Sequence, residues 1–201
     1  MFSGIIRSKS KIISIEPKAK GIFLGLNNKA IFNNIKLGDS LCISGVCLSV
    51  LMKKNNEVYF EVMPETLRKT TLGKKNVDEI VNIETSLQLG ESISGHFVFG
   101  HVDGVGRVTK IEKEGHNILM TITPPANLLI YFCPQGSIAL DGVSLTIARL
   151  NAKTFTVSLI EDTLKKTTLS KLTVGNEVNI ECDMLAKYVA EQFKNLKKIK
   201  K

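Results

Sequence analysis

The chain has 201 residues, of which 43% are hydrophobic and 23% are charged, as in ordinary globular proteins. No apolar run is long enough to span a membrane, and the first residues lack the features of a signal peptide, so we expect a cytoplasmic protein with no membrane partner. The formal net charge of +8 raises nucleic acid as a partner. Much of that charge lies in the C-terminal tail, in Lys194, Lys197, Lys198, Lys200 and Lys201. Because such a tail is a solvated end and aromatic residues are few, a nucleic-acid-binding barrel is an alternative that we do not favour.

Short segments rich in β-branched and aromatic residues follow one another in the first half of the chain, which is typical of strands separated by turns. The predicted strands are Ile12–Ile15, Gly21–Leu24, Leu41–Ile43, Val46–Met52, Val58–Met63 and Val81–Glu84. After the fifth strand, Pro64 suits the first turn of a short helix and Gly73 suits its end.

This pattern occurs twice. Gly45–Val50 returns 97 positions later as Gly142–Ile147, and an offset of 96 places Gly100–Val102 on Gly4–Ile6. A period this long indicates two copies of one small domain rather than a solenoid. We therefore predict an all-β fold of two tandem six-stranded antiparallel β-barrels related by internal duplication, plus a C-terminal α-helix. The predicted units are a barrel at 1–96, a barrel at 97–184, and a helix with a basic tail at 185–201.

The last segment has no counterpart in the repeat. Asp183 suits an N-cap. Apolar residues then recur at helical spacing, at Leu185, Tyr188, Val189, Phe193 and Leu196. The amphipathic helix could cover the second barrel or drive self-association, and the sequence alone does not separate the two.

Strand alternation exposes small polar side chains at the same place in both copies. Val46, Leu48 and Val50 would face the barrel interior, so Cys47 and Ser49 face outward. In the second copy the outward residues are Ser144 and Thr146. On an uninterrupted strand Cys42 and Cys47 would lie on opposite faces, and neither a disulfide nor a zinc site is predicted.

One histidine distinguishes the two copies. His101 occupies the position of Ile5 and can transfer protons near neutral pH, which makes it an acid/base candidate. His96 lies five positions earlier, on the opposite face of a strand, so we expect no shared metal. No nucleotide-binding motif is present in the sequence.

Six ordered motifs resemble those of the riboflavin synthase alpha-chain family over residues 1–193. They are Met1–Ile6, Ser44–Val50, Met63–Gly73, Gly95–Gly104, Asp141–Ile147 and Asp183–Val189. The resemblance implies two six-stranded barrels, a terminal helix that holds a homotrimer, association with lumazine synthase, and no cofactor or metal. The implied reaction is the last step of riboflavin biosynthesis. Two molecules of 6,7-dimethyl-8-ribityllumazine dismutate to riboflavin and 5-amino-6-ribitylamino-uracil, between barrels of neighbouring subunits.

Family positions imply one substrate site per barrel. The first would use Gly4, Ile5, Ile6, Cys47, Leu48, Ser49, Glu61, Val62, Met63, Pro64, Glu65 and Thr66. The second would use Gly100, His101, Val102, Ser144, Leu145, Thr146, Ser158, Leu159, Ile160, Glu161, Asp162 and Thr163, with Gln135 reaching across the interface. The implied catalytic residues are Cys47, Ser49, His101, Ser144, Thr146, Phe2, Ser40 and Asp183.

Four positions depart from the family pattern. Ser44 replaces Asn, Ser49 replaces Thr, Gln135 replaces Lys, and Glu161 replaces the proline before the second Thr-Leu. A non-catalytic lumazine- or flavin-binding antenna protein would share the fold and is the main alternative.

Overall fold

The computed structural model describes residues 1–199, and Lys200 and Lys201 of the predicted tail lie outside the described residues. Two closed barrels account for most of the chain. The strands are β1 (Ser8–Lys18), β2 (Gly21–Asn27), β3 (Ser40–Ile43), β4 (Val46–Lys54), β5 (Glu57–Val62), β6 (Ile80–Thr85), β7 (Gly104–Glu114), β8 (Asn117–Thr123), β9 (Ser137–Leu140), β10 (Val143–Leu150), β11 (Phe155–Leu159) and β12 (Glu177–Cys182). Their orders around the two barrels are β1-β2-β5-β4-β3-β6 and β10-β11-β8-β7-β12-β9. All strand pairs are antiparallel, so the predicted fold class is confirmed.

Alternating burial explains how each barrel closes around its own core. On β4, Val46, Leu48 and Val50 are buried, whereas Ser49 is exposed, as predicted. Breaks in register at Ile12/Ser14 and Val50/Met52 recur in the second barrel at Val108/Lys110 and Ile147/Arg149. Such bulges bend a strand and let a small sheet close on itself. The duplication therefore preserves the places where the sheets bend, as well as the apolar pattern.

The helices differ from the prediction in detail. They are α1 (Lys29–Phe32), α2 (Pro64–Lys69), α3 (Glu161–Lys166) and α4 (Met184–Ile199), with 3₁₀ helices at Thr71–Lys74, Ala126–Tyr131 and Thr168–Lys171. Pro64 begins α2 as expected, but Gly73 does not end it. Thr70 is extended and accepts a hydrogen bond from the Leu72 N–H, which starts a 3₁₀ turn that contains Gly73.

The expectation for Cys42 and Cys47 is wrong. They lie directly opposite each other on β3 and β4, because the turn at Ser44 and Gly45 reverses the chain between them. Their side chains therefore share one face, as the small cluster of Phe2, Cys42, Val98 and Ala139 packed against Cys47 shows. All four cysteines are free thiols.

A reciprocal pair of asparagines joins the two barrels. The Asn82 side-chain amide donates to the Asp141 carbonyl (2.9 Å) and its oxygen accepts from the Thr168 N–H (2.8 Å). Asn179 makes the matching contacts with the Ser44 carbonyl (2.8 Å) and the Thr71 N–H (2.7 Å). Both asparagines are at most 1% exposed. Because each buried amide is satisfied only by groups of the other barrel, the network fixes how the barrels dock.

The terminal helix α4 begins where the sequence predicts. The Asp183 side chain accepts from the Leu185 N–H, as an N-cap does. Yet the apolar residues of the helix remain exposed, with Tyr188 64% and Phe193 63% accessible. The helix therefore leaves its apolar face unburied by the second barrel. Among residues 1–199, no helix is long and apolar enough to cross a membrane.

Candidate active site

At one end of each barrel, two neighbouring strands stop pairing. The β4–β5 ladder runs from Lys54–Glu57 to Val50–Phe60, so Cys47–Ser49 and Glu61–Thr66 lie just beyond its end. In the second barrel the ladder of β10 and β11 ends at Ile147–Val157. The matching segments beyond it are 144–146 and 158–163. The strand ends therefore bring together two of the three segments predicted for each site.

The third segment of each site comes from the other barrel's lead-in chain. We call residues 1–6 the N-terminal strap and residues 97–102 the central strap. The Gly4 carbonyl accepts from the Ser144 N–H (2.8 Å), and the Gly100 carbonyl accepts from the Cys47 N–H (2.9 Å). Ile6 accordingly belongs to the core of the second barrel, and Val102 packs against the core of the first.

The predicted grouping of the segments is therefore wrong. Gly4–Ile6 lies with Ser144–Thr146, and Gly100–Val102 lies with Cys47–Ser49. The straps cross because each precedes one barrel in sequence but pairs with the exposed strand of the other. Two further hydrogen bonds, between Phe2 and Val98 at 2.7 and 3.1 Å, join the straps to each other.

Close approach explains the glycine in each strap. Gly4 and Gly100 have positive φ angles of 75° and 76°. A Cβ on Gly4 would lie 2.6 Å from the Ser144 Cβ, and one on Gly100 would lie 2.5 Å from the Cys47 Cβ. Only glycine fits this conformation and this space. The straps therefore press against the two small polar residues that the sequence singles out.

Each strap is held in place by a buried glutamate of the barrel that follows it in sequence. Glu84 accepts from the Ser3 N–H, the Ser3 hydroxyl and the Gly4 N–H at 2.7–3.0 Å. Glu181 accepts from the Phe99, Gly100 and His101 N–H groups at 2.6–3.1 Å. Burial raises the pKa of both carboxyls, although these hydrogen bonds act in the opposite direction. Glu84 ends a predicted strand and Glu181 stands 97 positions later; neither was assigned a role from the sequence, and this repetition was the available signal.

In the first barrel, the strap that pairs with Cys47 also carries a histidine. His101 is exposed and follows Gly100, which is bonded to Cys47, and its ring lies 6.1 Å from that of Phe99. Ser40 lies opposite Ser49 in the β3–β4 pair. The predicted catalytic residues Cys47, Ser49 and Ser40 therefore lie together at one strand end, and His101 lies on the adjoining strap.

In the second barrel, a different histidine reaches the hydroxyl. His96 Nδ1 lies 2.7 Å from Ser144 Oγ, and the His96 N–H donates to the Ser3 carbonyl (3.2 Å). Burial lowers the pKa of His96, and the nearby Asp183 opposes that shift. From the sequence, His96 was a candidate only for metal binding, and its contact with Ser144 was not predicted. Thr146 is exposed on the same strand.

The remaining predicted residues take up different positions. Phe2 is fully buried between the barrels, and Asp183 caps α4. Gln135 lies exposed in the turn before β9, where its N–H donates to the Ile147 carbonyl (2.9 Å). The other predicted binding residues mix buried positions, such as Leu48 and Leu145, with exposed apolar ones, such as Met63 and Ile160.

One cleft of the described chain lies away from these strand ends. A space of about 780 Å³ between the barrels is lined by Thr71, Asp141 and Thr168, among others, and by none of the predicted site residues. No group of three or more His, Cys, Asp or Glu side chains in residues 1–199 could hold a metal ion. We therefore place the candidate site at the strand ends, where hydroxyl, thiol and imidazole groups converge on open surface.

Comparison with known proteins agrees with this arrangement. The family described as "Lumazine binding domain" matches residues 3–86 and 99–183, once for each barrel. Two solved structures of LumP, complexed with 6,7-dimethyl-8-(1'-D-ribityl) lumazine and with riboflavin, superpose with TM-scores of 0.82 and 0.84. They are 23% and 24% identical over 90% of this chain and 99% of theirs, a likeness that shows the fold. The fold is therefore that of a protein with two lumazine binding domains in tandem.

Similarity to proteins of known function identifies the family within the lumazine binding domain proteins. Riboflavin synthase of Chlamydia pneumoniae is 37% identical over 98% of this chain and 96% of its own length. The riboflavin synthases of Bacillus subtilis and Brucella abortus are 38% and 40% identical over 94% of this chain and 88% and 96% of theirs. The chain therefore belongs to the riboflavin synthase family of lumazine binding domain proteins. These relatives do not favour the non-catalytic alternative.

Proposed function

We propose that this protein is a riboflavin synthase, a transferase that dismutates two molecules of 6,7-dimethyl-8-ribityllumazine to riboflavin and 5-amino-6-ribitylamino-uracil. One lumazine donates a four-carbon unit and the other accepts it. The observation that carries the proposal is the pair of matching open strand ends, each with small polar side chains and a crossing strap. A reaction between two copies of one molecule needs two similar sites.

Orientation of the two rings supplies most of the catalysis. The C7 methyl group of a lumazine is acidic because the ring delocalises the carbanion, so no strong base is needed. Holding two reactants in a productive geometry can lower a barrier by about 7–11 kcal/mol. The straps suit this task, because Glu84 holds the N-terminal strap and Glu181 holds the central strap.

The two barrels would take different roles. In the first barrel, Cys47 and Ser49 would assist addition at C7 or hold the added nucleophile, and His101 would move a proton beside them. In the second barrel, Ser144 and Thr146 would bind the partner ring, and Thr146 would relay its methyl proton. Ile5 would supply the apolar wall there that His101 replaces in the first barrel.

We further propose that the reactive pair forms between the first barrel of one subunit and the second barrel of its neighbour. The support is the open surface at each site, where Met63 is 48% and Ile160 53% exposed in the single chain. A closed, water-free reaction site would then need a second copy to cover it.

A homotrimer assembled by α4 is part of the same proposal. An apolar groove of about 580 Å³ lies between α4 and the segment around Tyr131, and it is lined by Val189 and Phe193. An exposed apolar face of this kind marks an interaction surface. Association with lumazine synthase and a cytoplasmic location complete the proposal, and co-elution and cell fractionation would test them.

The decisive test is direct turnover. Pure protein mixed with 6,7-dimethyl-8-ribityllumazine should produce riboflavin absorbance without any added cofactor. Bound lumazine that stays fluorescent and unconverted would instead indicate the antenna protein, and an absence of binding would contradict both functions.

Light scattering tests the assembly. Paired changes Tyr188→Glu and Phe193→Glu should lower the mass from that of a trimer to that of a monomer, because they place charge in an apolar contact. Gln192→Glu, an exposed polar position of the same helix, serves as the control. An unchanged mass in the double variant would contradict the role of α4.

A further inference from the structure

His96 lies in the segment between the barrels, just before the central strap. Its neighbour Gly95 is pressed against the same hydroxyl residue, since a Cβ on Gly95 would lie 2.9 Å from Ser144 Oγ. An imidazole is therefore fixed against the polar strand of the second barrel.

The two ring nitrogens of His96 have different surroundings. Nδ1 is within hydrogen-bond distance of Ser144 Oγ, at 2.7 Å. Nε2 is buried, and no group in the part of the chain that the structure describes bonds to it. Burial also keeps the ring neutral near pH 7, because it lowers the pKa of His96 from an ordinary value of 6.5. One nitrogen therefore carries a hydrogen and the other does not.

The unbonded nitrogen decides which tautomer is favoured. With hydrogen on Nε2, a buried N–H would have no acceptor, and orphaned buried N–H groups are rarer in proteins than acceptors without a donor. With hydrogen on Nδ1, the ring donates to Ser144 and leaves only a bare acceptor buried. The Nδ1–H tautomer is the better fit.

This tautomer fixes the direction of the Ser144 hydroxyl. A hydroxyl has one hydrogen and two lone pairs, so an oxygen that accepts from His96 keeps its own hydrogen for another partner. We propose that His96 is a positioning residue that makes Ser144 a hydrogen-bond donor to an acceptor atom of the lumazine ring bound at the second barrel. The inference rests on the proposed function for the identity of that ring.

Three replacements of His96 separate positioning from proton transfer. In Asn the amide nitrogen takes the place of Nδ1, whereas in Gln it takes the place of Nε2. We expect His96→Ala and His96→Gln to lower kcat about tenfold, the effect of one hydrogen bond. His96→Asn should stay within about threefold of the unmodified enzyme, because it can still donate to Ser144 but cannot transfer a proton. An Asn variant as slow as the Ala variant would overturn the proposal in favour of a general base.

Coupling to Ser144 excludes a purely structural role. Adding His96→Ala to Ser144→Ala should reduce kcat no further, because the ring acts through the hydroxyl that is already absent. If His96→Ala lowered kcat by the same factor with and without Ser144→Ala, the proposal would be overturned. His116→Gln, which changes an exposed histidine in the β7–β8 turn, is the control for replacing a histidine.

A spectroscopic measurement tests the tautomer without turnover. Ring ¹⁵N resonances distinguish a protonated from a bare nitrogen, and the spectrum of His96→Asn assigns the signals of one of the three histidines. Hydrogen on Nδ1 supports the inference, and hydrogen on Nε2 overturns it. If the unmodified protein makes no riboflavin, the proposed function fails, while this measurement still decides how His96 and Ser144 are paired.

Discussion

The two barrels share a backbone plan but differ at the residues that face their open ends. Cys47 stands against Ser144, and Ile5 against His101, at equivalent places on strand and strap. Ser44 stands against Asp141 in the turn where the barrels meet. Duplication thus preserves the strands that close the barrels and the asparagines that dock them. The differences at Cys47 and His101 lie where a donor and an acceptor of the same chemical type would need different treatment.

The largest effect is expected from breaking a strap anchor. Glu181→Ala leaves the Phe99, Gly100 and His101 N–H groups without their acceptor. At about 1–3 kcal/mol for each buried donor, we expect the free energy of unfolding to fall by about 4 kcal/mol in urea titrations.

Glu84→Ala is the matched change in the first barrel and should cost a similar amount. Glu181→Gln should lie in between, because one amide oxygen replaces two carboxylate oxygens. The control is Glu114→Ala, an exposed residue paired with Arg149, which should change stability by less than about 0.5 kcal/mol. Anchor variants as stable as this control would contradict the role of the glutamates.

The second effect concerns the buried turn between the barrels. Burial raises the pKa of Asp141 from 3.8 to about 6, and its carboxylate accepts from the Asn179 N–H. Because the folded-state pKa lies above the unfolded one, stability falls as pH rises from 3.8 to about 6. Ser44 makes the equivalent bond to the Asn82 N–H without a charge. The unmodified protein should therefore lose about 2–3 kcal/mol of unfolding free energy between about pH 4 and about pH 7.5 that Asp141→Ser does not lose.

The reverse change sharpens this test. Ser44→Asp places a carboxyl in the first barrel's turn and should introduce the same loss of stability with rising pH. Unfolding free energies measured at both pH values would check the pair. Parallel pH profiles for the unmodified protein and Asp141→Ser would refute the assignment.

The third effect is on turnover. His101→Gln removes the proton-transfer group beside Cys47 and should lower kcat about 100-fold, within the usual range for general acid–base groups. Steady-state assays of riboflavin formation measure it. Retained lumazine affinity would show that the loss is chemical, whereas full turnover would remove His101 from the mechanism.

The smallest effect compares the two short helices. Pro64 begins α2, whereas Glu161 begins α3 after Ile160, whose extended backbone already suits a following proline. Glu161→Pro should raise the free energy of unfolding by about 0.5 kcal/mol. Proline restricts the unfolded chain, and this gain exceeds the small loss of the exposed Glu161–Lys165 pair. Thermal unfolding measures the change, and Pro64→Ala should lower stability by a similar amount. A decrease with Glu161→Pro would show that the start of α3 differs from that of α2.

Local sequence patterns predicted much of the fold. Alternating apolar and polar residues in β4 and β10, the long-period repeat and the helical spacing from Leu185 to Leu196 predicted two barrels and a terminal helix with an apolar face. Each of these signals depends on residues close in sequence or on a constant offset. Strand alternation identified Cys47, Ser49, Ser144 and Thr146 as outward-facing residues, and the offset matched them between the copies.

Tertiary structure alone decided which of these residues meet. The repeat places Gly4–Ile6 in one copy and Gly100–Val102 in the other, but the docked barrels cross the two straps. The pairing of Cys42 with Cys47 depends on a turn that reverses the chain, and the contact of His96 with Ser144 joins positions 48 residues apart. A repeat specifies what each copy contains. The buried amides of Asn82 and Asn179, which can be satisfied only by the other barrel, fix how the copies dock and so decide which strap faces which strand.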